Sequence, residues 1–212
     1  MSSAAENSGP RPTLRVKGVP VWQTYLDRAA QEAVLADILT LAAAAPFVQP
    51  VTPSGRPMSV WMTSAGSLGW ITDRKGYRYE PRHPSGAPWP TIPESVLAVW
   101  RDLSGVSREP SSCLINRYSE GAKMGLHQDK DEGDFDWPVL SISLGDSALF
   151  RVGGTARGGK TESVWLNSGD VALLSGDTRL AYHGIDRVKH GSSTLLPEGG
   201  RINLTLRVVD MA

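Results

Sequence analysis

Apolar and polar positions follow two different periods along this chain. From Asp27 to Ala45 (DRAAQEAVLADILTLAAAA), Ala, Val, Leu and Ile recur at helical spacing with no Gly or Pro before Pro46, which predicts an amphipathic helix. A second, shorter helix is predicted from Pro93 to Leu103. Between them lie MSVWMT (58–63), GWIT (69–72) and YRY (77–79), separated by Ser, Gly and Lys-Gly turns, which predict a hairpin-rich cap of short antiparallel strands. From Ser112 onward the pattern shortens to β-like runs at turn-sized spacing: CLINRY, WPVLSISL, ALFRV, ESVWLN, DVALLS, RLAYHGI and RINLTLRVV. The expected fold is therefore mainly β with flanking helices (α+β), its core a barrel or double-sheet jelly roll with a mouth between the sheets. No internal repeat is visible, which disfavours solenoids and propellers.

Length and composition add bounds. A chain of 212 residues, 40% hydrophobic and 21% charged, suffices for one domain with a sizeable core and is short for two. The expectation is a flexible N-terminus over 1–14 and a single domain over 15–212, with the cap at about 47–92 and the β core at about 112–210, given the looseness of such boundaries. The stretch Met1 to Pro12 has no apolar core of a signal peptide or membrane span, so a cytoplasmic protein without membrane association is expected. The single cysteine, Cys113, excludes an internal disulfide and reads as strand core. Lys plus Arg and Asp plus Glu both number 22, so no global basic field announces a nucleic-acid partner and any such partner must rest on local features. Charges do cluster, with Arg74, Lys75, Arg78 and Arg82 in one group and Asp129, Asp131, Glu132, Asp134 and Asp136 in another; most such clusters are solvated faces.

The chemistry concentrates in three places. His127 and Asp129 stand two apart, so in an extended segment both point to one side of the chain. Alone, an HxD tripeptide is weak evidence, but His183 in LAYHGI supplies a third donor from another predicted strand end. Two His and one carboxylate form the facial arrangement that leaves positions open on non-haem Fe(II), enough for a keto-acid chelate and O2. In RINLTLR, Arg201, Asn203, Thr205 and Arg207 share one parity and Ile202, Leu204 and Leu206 the other. A solvated strand face would look the same, yet beside a metal the arginines gain a purpose, since guanidinium binds carboxylate bidentately and 2-oxoglutarate carries two carboxylates. Asn116 and Tyr118 repeat the i, i+2 geometry, and either an edge-strand polar face or a share in that anion pocket fits the alternation. His83 and His190 sit in turn-like contexts and read as ordinary histidines.

Taken together, CLINRYSEGAKMGLHQDKDE, SISLG, the GD at 169–170, RLAYHGI and RINLTLR resemble the catalytic core of the AlkB family of Fe(II)- and 2-oxoglutarate-dependent dioxygenases. The resemblance runs from about Phe47 to Val208, and it extends to PVTPSGRPMSVWMTSAGSLGW, DRKGYRY and PWP, which resemble that family's nucleotide-recognition lid. It implies His127, Asp129 and His183 as iron ligands, with Asn116, Tyr118, Arg201, Asn203 and Arg207 as 2-oxoglutarate contacts. Arg201 is assigned to the distal carboxylate and Arg207 to the one near iron. It further implies Trp70, Tyr77 and Tyr79 as aromatic faces for an extruded base, His127 as the opposite wall, and Asp131 and Arg157 as residues that hold the alkylated base. Without the resemblance, Trp70 and Tyr77 would read as core and Asp131 as one more acid in a solvated loop. The implied activity is oxidative demethylation of bases such as 1-methyladenine and 3-methylcytosine, using Fe(II), O2 and 2-oxoglutarate. Single-stranded DNA is the expected substrate, with double-stranded DNA and RNA as further ones. Nothing in the pattern requires more than a monomer. Two other readings compete: an oxygenase of the same fold acting on a protein or small metabolite, and a non-catalytic jelly-roll binding module with an incidental HxD.

Overall fold

The computed structural model describes residues 9–209. Its elements run β1 (Leu14–Val16), β2 (Val19–Trp22), α1 (Arg28–Ala44), β3 (Val60–Gly66), β4 (Gly69–Asp73), β5 (Gly76–Glu80), α2 (Glu94–Leu103), β6 (Ser112–Tyr118), β7 (Met124–His127), β8 (Val139–Gly145), β9 (Ser147–Val152), β10 (Glu162–Leu166), β11 (Val171–Leu174), β12 (His183–Lys189) and β13 (Arg201–Arg207). A seven-stranded antiparallel sheet in the order β1-β2-β11-β8-β13-β6-β3 faces a four-stranded sheet, β10-β9-β12-β7, and the hairpin β4–β5 stands apart. This is the double-sheet core the periodicity predicts. The two helices also form where expected: Asp27 caps α1 by accepting from the Ala30 N–H at 2.8 Å, and Pro46 follows its end.

The large sheet has two differently used faces. Cys113 and Ile115 of β6, Leu140, Ile142 and Leu144 of β8, and Ile202, Leu204 and Leu206 of β13 pack with Ile38 and Leu41 of α1 and with Val96, Val99 and Trp100 of α2. Period-2 alternation turns the other parity inward between the sheets, where Leu114, Tyr118 and Val139 meet Phe150, Val152 and Ile185 of the small sheet. Both faces of β13 are thus buried, and its Arg-Asn-Thr-Arg parity lies in the interior rather than on a solvated face. Burial of a guanidinium without solvent must be compensated by partners, so this strand is where a ligand is to be sought.

Three strands escape the sequence pattern. β1 and β2 form a hairpin turned by Lys17 and Gly18, both with positive φ, and are only three and four residues long. Residues of the expected flexible N-terminus, 1–14, fall mostly outside the described residues; of the rest, Pro10 accepts from Trp22 Nε1 at 2.7 Å and Thr13 donates its N–H to Val21 at 2.9 Å. β7 is missed because MGLH carries a glycine and has no alternation. The run RLAYHGI is strand only from His183 onward, the residues before it following a short turn of 3-10 helix at Gly176–Thr178. No helix among the described residues is long and apolar enough to cross a membrane.

Candidate active site

His127 ends β7 and His183 begins β12, and the two are register partners across that strand pair. Gly184 makes their approach possible. A Cβ there would lie 2.5 Å from the Met124 carbonyl oxygen and 2.7 Å from that of Gly125, both backbone atoms that cannot swing aside. Asp129, two residues past β7, completes the group, with Oδ1 at 3.5 Å from His127 Nε2 and Oδ2 at 3.8 Å from His183 Nε2. The donor atoms of all three lie within 4.8 Å of one another, and no other such group of three occurs among the described residues. In each ring Nδ1 faces a backbone carbonyl at 2.9 Å, Gly125 for His127 and Ala181 for His183. Each therefore holds its proton on Nδ1 and turns the Nε2 lone pair toward the common centre, as a metal ligand requires. Gln128, between them in sequence, donates to the Leu180 carbonyl at 2.6 Å and to the Thr155 carbonyl at 3.1 Å, pinning the two ligand-bearing segments together.

Electrostatics separates the three donors. Burial works against the charged form of each. For nearly enclosed His183 burial prevails over the Asp129 charge and pushes the pKa down to about 4, keeping the imidazole neutral. The His127 side chain is 41% exposed, so the carboxylate of Asp129 outweighs burial and its pKa moves up. Burial would raise Asp129, but Arg207 beside it and the two imidazoles hold it well below the usual carboxylate range.

A cavity of about 390 Å³ opens over this cluster between the sheets. Its floor is the inward parity of β6 and β13: Asn116, Tyr118, Arg201, Asn203, Thr205 and Arg207. Arg201 is 1% exposed, donates from Nη2 to Ser143 at 2.9 Å and lies 5.1 Å over the Tyr118 ring, yet its Nε and Nη1 have no partner. Burial pushes its pKa down, though a guanidinium this basic stays charged. Arg207 donates from Nη2 to Asp129 at 2.8 Å and leaves Nη1 without a partner; the Asn116 amide oxygen has none either. Asn203 is anchored through its amide to Ser141 and to the Ile142 carbonyl. Three buried guanidiniums, Arg179, Arg201 and Arg207, face two buried carboxylates, Asp129 and Glu132, and it is Arg201 that has no ion pair among the described residues. Two cations with orphaned N–H groups beside a His-Asp-His cluster able to hold a metal fit a dianion with one end at that metal.

The outer wall is aromatic. Trp70 and Tyr77 stack with centroids 5.5 Å apart and planes at 16°, and Trp70 Nε1 donates to Asp131 at 3.0 Å. Trp70, Tyr77, Asp131, Arg157 and His127 all line the cavity. Tyr79 does not: it is 6% exposed, and its hydroxyl donates to Glu132 at 2.9 Å. Most of the two charge clusters is solvated, with Arg74, Lys75, Arg82, Asp131 and Asp136 exposed; the exceptions are Asp129 and Glu132, which are buried, and Arg78, which is bound to Asp73 and Glu80. Glu132 and Arg179, whose Nη2 lies 3.2 Å from Glu132, were hidden by sequence because nothing local marks an acid whose partners lie some fifty residues away.

Comparison with known proteins agrees with this arrangement. Residues 18–207 match the family model described as the 2OG-Fe(II) oxygenase superfamily. The chain is 54% identical over 198 residues to an alpha-ketoglutarate-dependent dioxygenase AlkB homolog of Caulobacter vibrioides, covering 93% of this chain and 90% of that protein. It is 41% identical over 108 residues to a protein of Arabidopsis thaliana named DNA N(6)-methyladenine demethylase ALKBH1C, covering 46% of this chain and 24% of that one. Among solved structures, one titled as that of OsALKBH1 superposes with a TM-score of 0.79 at 30% identity, covering 94% of this chain and all of the other.

Proposed function

This chain belongs to the 2OG-Fe(II) oxygenase superfamily, and from that premise we propose that it is an AlkB-type dioxygenase that removes alkyl groups from N-alkylated nucleobases. The observation that carries the substrate class is the pairing of a metal cluster with a stacked Trp70–Tyr77 wall and a carboxylate, Asp131, at the same cavity mouth. His127, Asp129 and His183 hold Fe(II). Arg201 grips the distal carboxylate of 2-oxoglutarate with its orphaned N–H groups, helped by Asn116 and Tyr118, while Arg207 and Asn203 border the end near the metal. When bound, Fe(II), 2-oxoglutarate and O2 supply the oxidation of an N-alkyl carbon, with succinate, CO2 and an aldehyde as products.

The protein's own contribution is orientation. Trp70 and Tyr77 offer the face on which a flipped base stacks, with the His127 ring as opposite wall. Asp131 favours a base made cationic by alkylation, since an opposite charge in a partly dry pocket is stabilising. Arg157 reaches the same pocket. Leu114, Leu166, Leu174 and Ile185 add apolar lining to the cavity. We take single-stranded DNA to be the preferred substrate, with double-stranded DNA and RNA as further ones, and the working form to be a cytoplasmic monomer. The test is release of formaldehyde and succinate from Fe(II)-loaded protein given O2, 2-oxoglutarate and a single strand carrying 3-methylcytosine, beside an unmethylated control. Formaldehyde from the methylated strand alone supports the reading; succinate without formaldehyde keeps the oxygenase and removes the base as substrate.

A further inference from the structure

Two consecutive acids take hold of two residues that sit directly opposite each other in the hairpin. Trp70 of β4 and Tyr79 of β5 are register partners, and they donate to Asp131 at 3.0 Å and Glu132 at 2.9 Å respectively. The first bond lies at the cavity mouth; the second is enclosed, with Tyr79 at 6% and Glu132 at 2% exposure. From Glu132 the contacts continue inward along two routes. Its Oε2 accepts from Arg179 Nη2 at 3.2 Å, and Arg179 Nη1 donates to the Asp129 carbonyl at 2.7 Å. Its Oε1 lies 3.1 Å from Arg207 Nε, an ion pair whose angle makes no hydrogen bond, and Arg207 Nη2 donates to the Asp129 carboxylate at 2.8 Å. Arg179 is held from a third side by the Trp137 carbonyl at 2.7 Å, so it has little freedom to follow any other arrangement of Glu132.

We propose that Glu132 is a positioning residue, through which the hairpin strand bearing Tyr79 and the Asp129–Arg207 pair are held together, so that filling the metal and cosubstrate site and docking the hairpin favour each other. The inference rests on the reading of Asp129 and Arg207 given above. Glu132 borders the cavity, but both of its carboxylate oxygens are engaged by protein groups, and it acts on Asp129 once through the main chain and once through the side chain. Charge balance alone would require only a carboxylate near Arg179 and Arg207. What exceeds that requirement is the third partner: the Tyr79 hydroxyl is buried, brings no charge, and belongs to the separate two-stranded sheet. Sites joined by a shared buried group are coupled reciprocally, so cosubstrate binding should tighten the hairpin by the factor with which the hairpin tightens cosubstrate binding.

The experiment uses the full chain with Mn(II) and 2-oxoglutarate under nitrogen, where no turnover occurs. Amide exchange of residues 69–80 is followed with and without the two ligands, and 2-oxoglutarate affinity is measured by calorimetry. In the unaltered protein the ligands should slow exchange in the hairpin. Tyr79→Phe, which removes one hydroxyl and no charge, should abolish that slowing and weaken 2-oxoglutarate only by the same coupling factor, about threefold. Glu132→Gln should lose the slowing and weaken 2-oxoglutarate by about tenfold or more, and the double variant should be no worse than Glu132→Gln alone. Full slowing in Tyr79→Phe, no slowing in the unaltered protein, or additive losses in the double variant would each overturn the proposal. Normal slowing in a protein that releases no formaldehyde from methylated strands would support the coupling and remove the base as substrate.

Discussion

Replacing Arg201 by Met should separate binding from stability. In the free protein this guanidinium is almost wholly buried, leaves Nε and Nη1 unsatisfied, and has no ion pair among the described residues. Its retained contacts are one hydrogen bond to Ser143 and the face of Tyr118, worth about 1–3 kcal/mol together, against the comparable cost of an unsatisfied, desolvated cation. The two nearly offset, and Met fills most of the space, so the ligand-free melting temperature should move by less than about 4 °C, a change of about 1 kcal/mol in a chain of this size. Cosubstrate binding has no such compensation. A charge-assisted contact to a carboxylate is worth about 1.5–3 kcal/mol, and leaving a buried charge unpaired costs about 3–5, so a loss of about 2–4 kcal/mol is expected. That is a weakening of 2-oxoglutarate by about 30- to 1000-fold. Calorimetric titration of the Mn(II)-loaded variant, beside a ligand-free melt, measures both. Unchanged affinity would move the carboxylate anchor elsewhere; a melt lowered by about 10 °C would make Arg201 a structural residue and refute the reasoning.

Other outcomes follow from the same geometry. Gly184→Ala drives a Cβ into two backbone carbonyls, so β7 must move away from β12 and carry His127 off His183; Co(II) affinity, read by absorption, should fall by about tenfold or more, and an unaltered spectrum would contradict the close-approach argument. Metal affinity should rise as pH passes upward through the raised folded pKa of His127, because metal displaces a proton from that ring, while His183 at about 4 is already neutral. Metal-free stability should run the other way: the His127 contribution is fully present below its unfolded pKa and is lost as pH rises through the folded value, which a pH series of melts would detect. Burial pushes the Cys113 thiol up to about 12, so iodoacetamide at about pH 8 should leave it unmodified until the protein is unfolded; rapid labelling of native protein would show an opening of β6. Arg78 is committed to Asp73 and Glu80, so phosphate contact falls to roughly three cations such as Arg74, Lys75 and Arg157; single-strand affinity should then depend on salt with a slope near about −2, and Arg78→Ala should leave that slope unchanged.

The parts of the site that could be read in the sequence are those built by a period of two. His127 and Asp129, Asn116 and Tyr118, and the series Arg201, Asn203, Thr205, Arg207 each place same-side residues at i and i+2, and each such set lines one cavity. Alternation fixes which residues share a face without fixing whether water covers it. RINLTLR is compatible with a solvated polar face until the second sheet is known to lie over it, and only then does the cationic parity become an anion pocket rather than a surface. The helices were readable for the complementary reason, since an uninterrupted apolar stripe ending at a proline leaves one packing solution against a sheet.

What stayed hidden depends on partners far apart in the chain. Asp131 and Glu132 are neighbours in an acidic run, and by composition alone both belong to water. One sits at the cavity mouth bonded to Trp70; the other is 2% exposed among Tyr79, Arg179 and Arg207, which come from three separate elements of the chain. A carboxylate can be buried only where donors already stand, backbone N–H groups for Asp146 and Asp170 and distant arginines for Glu132, so the burial of Glu132 is a consequence of the assembled fold and cannot be inferred from its own neighbourhood. Tyr79 follows the same logic in reverse. By its place in YRY it is a third aromatic of the recognition hairpin and shares a face with Tyr77, yet Tyr77 is exposed at the cavity mouth while Tyr79, opposite Trp70, is 6% exposed. A phenol directed inward must find an acceptor, and the acceptor it finds is the one carboxylate already shared by the two arginines that hold Asp129.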